Sequence, residues 1–291
     1  MTLDTPRRER IFNIPTVVVV ICALLFLIQG LGDLIAPETY GRLLIRFAFV
    51  PGRFTFAFDP DRVSAAFNQI AKGDELRAQI AAAFLGDGTA QWWTVLTYAF
   101  LHGSWMHVGV NCLWLVAFGG AVAKRLSTLR FLALLAVCSV AGAFVHYLTH
   151  VADLEPVVGA SAAVSGAMGA ATRFMFQTGA PLGTGFGRRG SVDRDDVMRL
   201  PALSLFQTLT DRRTLTFIAI WFLSNLIFGV SGAMPGLGDA TVAWEAHVGG
   251  FLAGLLLFGW FDPAPKLARP DHDIVADGPE PTIAPSEGAE F

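Results

Sequence analysis

The sequence predicts an all-α fold, a polytopic membrane protein arranged as a six-helix bundle with a long interfacial first loop. Three observations carry this expectation. Of 291 residues, 53% are hydrophobic and 15% are charged, with mean hydropathy +0.52, whereas a soluble domain is normally about 25% charged. Several apolar stretches approach the ~20 residues that a helix needs to cross hydrocarbon. No run of alternating apolar and polar residues suggests a barrel, and among single segments only a helix satisfies its own backbone groups in lipid.

Six spans are expected in chain order: Ile14–Ile35, Trp105–Ala123, Leu129–Leu148, Pro156–Gln177, Leu215–Ala233 and Val242–Trp260. The first could pass for a signal peptide. Its apolar run is too long for that, lacks a clear small-x-small cleavage site and is followed by further spans, so it reads as a retained helix. The segment 36–104 mixes aromatics, arginines and apolar residues, as in "RLLIRFAFVPGRFTFAF", which suits an amphipathic insertion in the outer interface. The span from Pro156 is nearly all Gly, Ala and Ser in "PVVGASAAVSGAMGAA". Such a lack of bulk fits a helix enclosed by protein rather than one facing lipid. Residues 1–13 and 263–291 flank the six-helix domain of 14–262, and the Pro- and acid-rich tail is expected to be disordered. Cys22, Cys112 and Cys138 fall in apolar segments without regular spacing, and read as small buried hydrophobes.

Lys124, Arg125 and Arg130 lie between spans two and three, and the connection 178–213 carries Arg188, Arg189, Arg194, Arg199, Arg212 and Arg213. The loops after spans three and five hold Asp153, Glu155, Asp239 and Glu245, with no Lys or Arg. The positive-inside rule then puts both termini in the cytoplasm. The first loop is long enough to translocate despite its basic residues. A start without an Arg/Ser-rich transit stretch favours a bacterial inner membrane. The net charge of −3 argues against nucleic acid as a partner and against a polybasic membrane patch.

Polar side chains inside membrane spans are costly and mark function by default. "HGSWMHVGVN" places His102, His107 and Asn111 at the start of span two, and "EAHVGGFLAG" places His247 just inside span six. Ser161 opens span four. With both termini inside, Ser161, His247, His107 and Asn111 all fall at a shallow depth near the outer face. A serine hydroxyl becomes a nucleophile when a positioned base removes its proton, and histidine is the usual base near neutral pH. Asn and His side chains and helix N-terminal N–H groups can then receive an oxyanion. No HExxH, no pair of intramembrane Asp and no metal-spaced Cys/His cluster competes with this parts list, and neither a metal nor a cofactor is expected.

Gly159–Ser161 as GxS, His102–Asn111 as HxxxxHxxxN and Ala246–Gly254 as AHxxGxxxG together resemble the three signatures of the rhomboid family of intramembrane serine proteases. The resemblance covers about Trp92 to Trp260 and implies a Ser–His dyad, with Ser161 as nucleophile and His247 as base and then acid. It implies oxyanion stabilisation by His107, Asn111 and the Ser161 N–H, with His102 and Gly159 as supporting residues. Gly250 and Gly254 would bring span six close to span four. The substrates it implies are single-pass membrane proteins cut near the outer, periplasmic surface of the bilayer. Two positions depart from the family pattern: Ala162 follows the nucleophile in place of Gly, and Ser165 stands where an aromatic often packs on the catalytic imidazole.

Other readings stand beside this one. The family also contains catalytically inactive members that bind membrane clients, although those lack the Ser or the His. Asn111 also suits a hydrogen bond between helices. His146 and His150, four apart at the outer end of span three, could with His102 and His107 suggest haem ligation between spans, but such pairs are also common interfacial residues.

Overall fold

The computed structural model describes residues 14–177, 201–231 and 243–263. The expected disordered tail beyond Pro263, the N-terminal 1–13 and most of the basic connection 178–213 lie outside these residues. Among the described residues the fold is helical throughout, and its one β contact is an isolated bridge between Phe49 and Val157.

Three helices are long and apolar enough to cross a membrane: α1 (Thr16–Leu34), and two more at Trp105–Arg125 and Thr128–Thr149. All three agree with the first three expected spans to within two residues. Exposed Val20, Leu27 and Leu31 on α1, and Leu129, Val140 and Phe144 on the third, leave apolar flanks for lipid. The chain is an integral membrane protein with apolar spanning helices.

The segment after α1 is not a plain loop. It folds into α2 (Pro37–Phe47), α3 (Pro51–Phe56), α4 (Pro60–Gly73) and α5 (Glu75–Leu85). Proline at the start of α2, α3 and α4 suits a first turn that needs no N–H donor. Asp59 and Asp74 cap α4 and α5 by accepting the Arg62 and Arg77 N–H groups, satisfying donors that the helix leaves free. This segment is fastened to the connection before Ser161. Phe49 and Val157 exchange backbone hydrogen bonds, Gly52 N–H donates to Asp153 O at 2.7 Å, and the Thr55 hydroxyl meets both Tyr147 Oη and Val151 O.

A short helix α6 (Thr94–Thr97) leads into α7 (Trp105–Arg125), which contains a π-helical turn at Leu115–Gly119. Then come α8 (Thr128–Thr149), α9 (Ser161–Ala171), α10 (Leu205–Thr210), α11 (Arg212–Ser231) and α12 (Trp244–Phe261). The helix α9 departs from the span expected over Pro156–Gln177. Its 11 residues rise only about 16 Å, roughly half the hydrocarbon thickness. The physical reason sits at each end. Gly159 adopts φ +123°, a conformation that stops a helix from starting earlier. After Ala171 the chain turns, and the Arg173 guanidinium is committed to the carbonyls of Leu203 and Leu255.

The core is the stack of α8, α9 and α12. Ten of the eleven α9 residues are buried. A methyl group added at Gly250 would lie 2.0 Å from Ala162 O, and one at Gly254 would lie 1.8 Å from Gly166 O. The α9 and α12 backbones therefore touch, in parallel, along a small-xxx-small stripe. Gly142 and Gly166 also let α8 pack close, since a methyl at either would meet the side chains of Ala162 at 2.5 Å and Cys138 at 2.3 Å respectively. Cys138 and Cys112 are buried free thiols and Cys22 is partly buried, in keeping with their apolar settings.

Candidate active site

The register of the glycine stripe decides what meets at the N-terminal ends of α9 and α12. Ser161 is the first residue of α9, one before Ala162, whose carbonyl faces Gly250. His247 precedes Gly250 by three residues, one turn nearer the start of α12, and residues so spaced lie on one helix face. Both helices run the same way, so Ser161 and His247 open the same end of the stack. Both remain partly accessible, in contrast to the sealed Ala162–Ala171 stretch behind them.

His107 closes on this point from α7. A methyl at Gly159 would touch the His107 ring at 2.7 Å and the Ser161 Oγ at 3.7 Å, so His107 and Ser161 border one small space. Only glycine leaves that space open, and its positive φ excludes a side chain independently. The approach to Ser161 is fixed by two backbone donors: Gly159 N–H donates to Tyr98 O at 3.0 Å, and Ala160 N–H donates to His102 Nε2 at 3.3 Å. Burial, and secondarily the neighbouring His107, pushes the His102 imidazole down to about 3, so it stays neutral and Nε2 can accept. His102 is almost wholly buried, packs edge-on to His107 at 4.9 Å and receives a bond from Tyr40 Oη on its carbonyl at 3.4 Å. It thus joins α2, α7 and the turn before Ser161. The N–H groups of the first α9 turn, beginning with Ser161, have no acceptor within their own helix.

Asn111 is buried one turn below His107, and its Nδ2 donates to His107 O at 3.1 Å. Ser165 is buried within α9. The aromatic ring absent at that position has no replacement in the expected stacking role from α9 itself, since every other residue from Ala162 to Ala171 is Gly, Ala, Val or Met.

One site residue was not expected from the sequence. Asn225, on α11, lies with its Oδ1 2.6 Å from His247 Nδ1, while its Nδ2 donates to Trp221 O at 2.8 Å. The donation to a carbonyl fixes which end of the amide is oxygen, so His247 Nδ1 carries the proton and donates. Its other nitrogen, Nε2, is left as an acceptor. The stacking of Trp221 on Phe251 at 4.2 Å docks α11 on α12 beside this contact. An Asn inside the apolar run "TFIAIWFLSNLIF" was the available signal, since a polar amide in a span needs a partner.

For a metal, the donor group of the described residues is His146, His150 and Glu245, at the end of α8 and the start of α12. The far end of the stack is held differently. Arg125 and Asp262 form a buried bidentate pair at 2.9 and 2.7 Å, with the guanidinium over the rings of Phe174 and Phe258.

A family model described as Rhomboid domain matches residues 89–262. No curated protein matches the chain.

Proposed function

The chain belongs to the rhomboid family, and we propose that it is an intramembrane serine endopeptidase that hydrolyses single-pass membrane proteins near the outer surface of the bilayer. The observation that carries this reading is the register of α9 against α12. The backbone contact of Gly250 with Ala162 sets Ser161 and His247 at the same, partly open end of a tightly packed stack.

In this reading His247 Nε2 takes the proton from Ser161 Oγ as the oxygen attacks the scissile carbonyl. Asn225 acts as a positioning residue: by accepting a hydrogen bond from Nδ1–H it fixes the tautomer and stabilises the imidazolium that forms, the role a third member plays in Ser–His–Asp sites. The oxyanion is received by the Ser161 N–H at the start of α9 and by His107 across the Gly159 space, with Asn111 beneath it. Such donors contribute several kcal/mol when aimed at developing charge, about 10²–10³ in rate for one donor. His247 then returns its proton to the leaving amine. Water admitted from the outer side repeats the sequence on the acyl-enzyme with the roles reversed. His102 and Gly159 hold the turn that presents Ser161, and Gly250 and Gly254 hold the helix that presents His247.

The same reading assigns α1, α7, α8, α9, α11 and α12 to six spans, with α2–α5 lying in the outer interface. Exposed Trp92, Trp93 and Trp105 near these elements suit that level of the membrane. It sets both termini in the cytoplasm and the site towards the periplasm of a bacterial inner membrane.

Detergent-purified protein is expected to cleave a model single-span substrate, and Ser161→Ala and His247→Ala are each expected to abolish cleavage. Activity that survives both substitutions in well-folded protein would overturn the dyad. Client binding without cleavage by the unaltered chain would favour the inactive, client-binding role instead.

A further inference from the structure

A second group of chemically capable side chains lies at the same end of the stack, where α8 ends and α12 begins. His146 and His150 are one helical turn apart, with their rings stacked at 4.5 Å. Glu245, in the first turn of α12, faces both. Its Oε2 lies 3.5 Å from His146 Nδ1 and its Oε1 lies 4.0 Å from His150 Nε2. The three donor atoms fall within 4.8 Å of one another. His146 is 5% exposed and its Nδ1 makes no hydrogen bond. A buried polar atom left in that state is unfavourable, and nothing in the proposed catalytic cycle uses it. His150 Nδ1 is engaged with Thr149 Oγ1 at 2.8 Å, which leaves Nε2 as the nitrogen turned to Glu245.

The geometry points to a divalent transition-metal site of the zinc class, ligated by His146 Nδ1, His150 Nε2 and the Glu245 carboxylate. Two imidazoles and one carboxylate are a usual zinc donor set, and two histidines four apart on a helix present their rings to one ion. Calcium and magnesium prefer oxygen donors alone. Around a tetrahedral ion with bonds of about 2.1 Å, donors stand about 3.4 Å apart. The contacts of Glu245 with both imidazoles are near that spacing, and His150, at the open end of α8, closes the remainder by a small side-chain rotation. His150 remains partly exposed, which gives an ion a route in. The second nitrogen of His150, held by Thr149, supplies the outer hydrogen bond that metal-bound imidazoles normally have. The ion fastens α8 to the first turn of α12, the turn that carries His247. In the sequence Glu245 stands far from both histidines, so no ligand spacing announces the site.

The test uses the full chain in detergent, stripped with a chelator and titrated with Co2+ and then Zn2+. Expected are one equivalent of bound metal, a visible cobalt absorption of tetrahedral intensity that zinc displaces, and a thermal midpoint raised by zinc. His150→Ala, at a partly exposed helix end, and Glu245→Gln should each weaken binding by more than about tenfold. Binding by the unaltered chain no stronger than that of a variant combining His150→Ala with Glu245→Gln would overturn the site and leave the trio as an ion pair only. Stoichiometric binding undiminished in both single variants would place the metal elsewhere and overturn it equally. No readout involves peptide cleavage, so this outcome is independent of the catalytic proposal.

Discussion

The two ends of the α8–α9–α12 stack are held by different means. At the end containing Phe258, polar groups are paired and closed off. Arg125 and Asp262 are buried together, and the Arg173 guanidinium, also buried, donates to Leu203 O and Leu255 O. About 16 Å along α12, the end containing Ser161 and His247 stays partly open, and its polar groups are spread over α7, α8, α9, α11 and α12. His146 Nδ1 there has no hydrogen bond, and neither does Gln29 Oε1 in the later turns of α1. Buried charge is thus paired off at the end away from Ser161 and His247. The glycine stripe between the ends fixes the register of α9 against α12, and with it the positions of Ser161 and His247.

The largest way to break the comparison is to separate the helices between the two ends. Gly254→Leu forces a side chain into the Gly166 backbone and should cost more than about 3 kcal/mol, leaving little folded protein by size-exclusion chromatography or thermal unfolding. Next, Arg125→Met removes the guanidinium from its buried bidentate contact with Asp262 and should cost about 3–5 kcal/mol. The double change Arg125→Met with Asp262→Leu should recover much of this loss, because apolar side chains of similar volume replace a buried ion pair at little net cost. Serine-probe reactivity per folded molecule should be unchanged in that double variant, and a proportionate loss of reactivity would mean the two ends are not separable. At the other end, Asn225→Ala should lower kcat by up to about 10² with the thermal midpoint nearly unmoved, and Asn225→Asp should restore much of it. A loss in KM alone would remove Asn225 from the positioning role. Smallest of all, Arg77→Ala breaks an exposed 3.8 Å pair with Glu155 and should change stability by less than about 0.5 kcal/mol.

Much of this was legible in the sequence because lipid imposes simple rules. The apolar lengths gave the first three spanning helices to within two residues, and the Gly/Ala/Ser composition of α9 announced an enclosed helix. The three motifs pointed to the family that the Rhomboid domain match establishes. Other features depend on three-dimensional register, which composition does not carry. The shortness of α9 follows from one positive φ at Gly159 and from the commitment of Arg173 after Ala171. Arg125 counted only as an orientation signal in the sequence, yet it is a buried fastener. Residues 36–104 were expected as an amphipathic insertion, and their division into the short helices α2–α6 depends in part on proline and aspartate positions that hydropathy does not weigh. Asn225 escaped notice because an amide within a span has many possible partners, and only the docking of Trp221 on Phe251 selects His247. The grouping of His146, His150 and Glu245 likewise needs α8 and α12 to be adjacent.

The central claim is that Ser161 is an activated nucleophile at the open end of the stack. Labelling with a fluorophosphonate probe, followed by mass-spectrometric mapping of the modified residue, tests it most directly. The account predicts a single adduct on Ser161, lost in Ser161→Ala and strongly reduced in His247→Ala. An adduct on Ser165 or elsewhere, or labelling of Ser161 that is indifferent to His247, would contradict it.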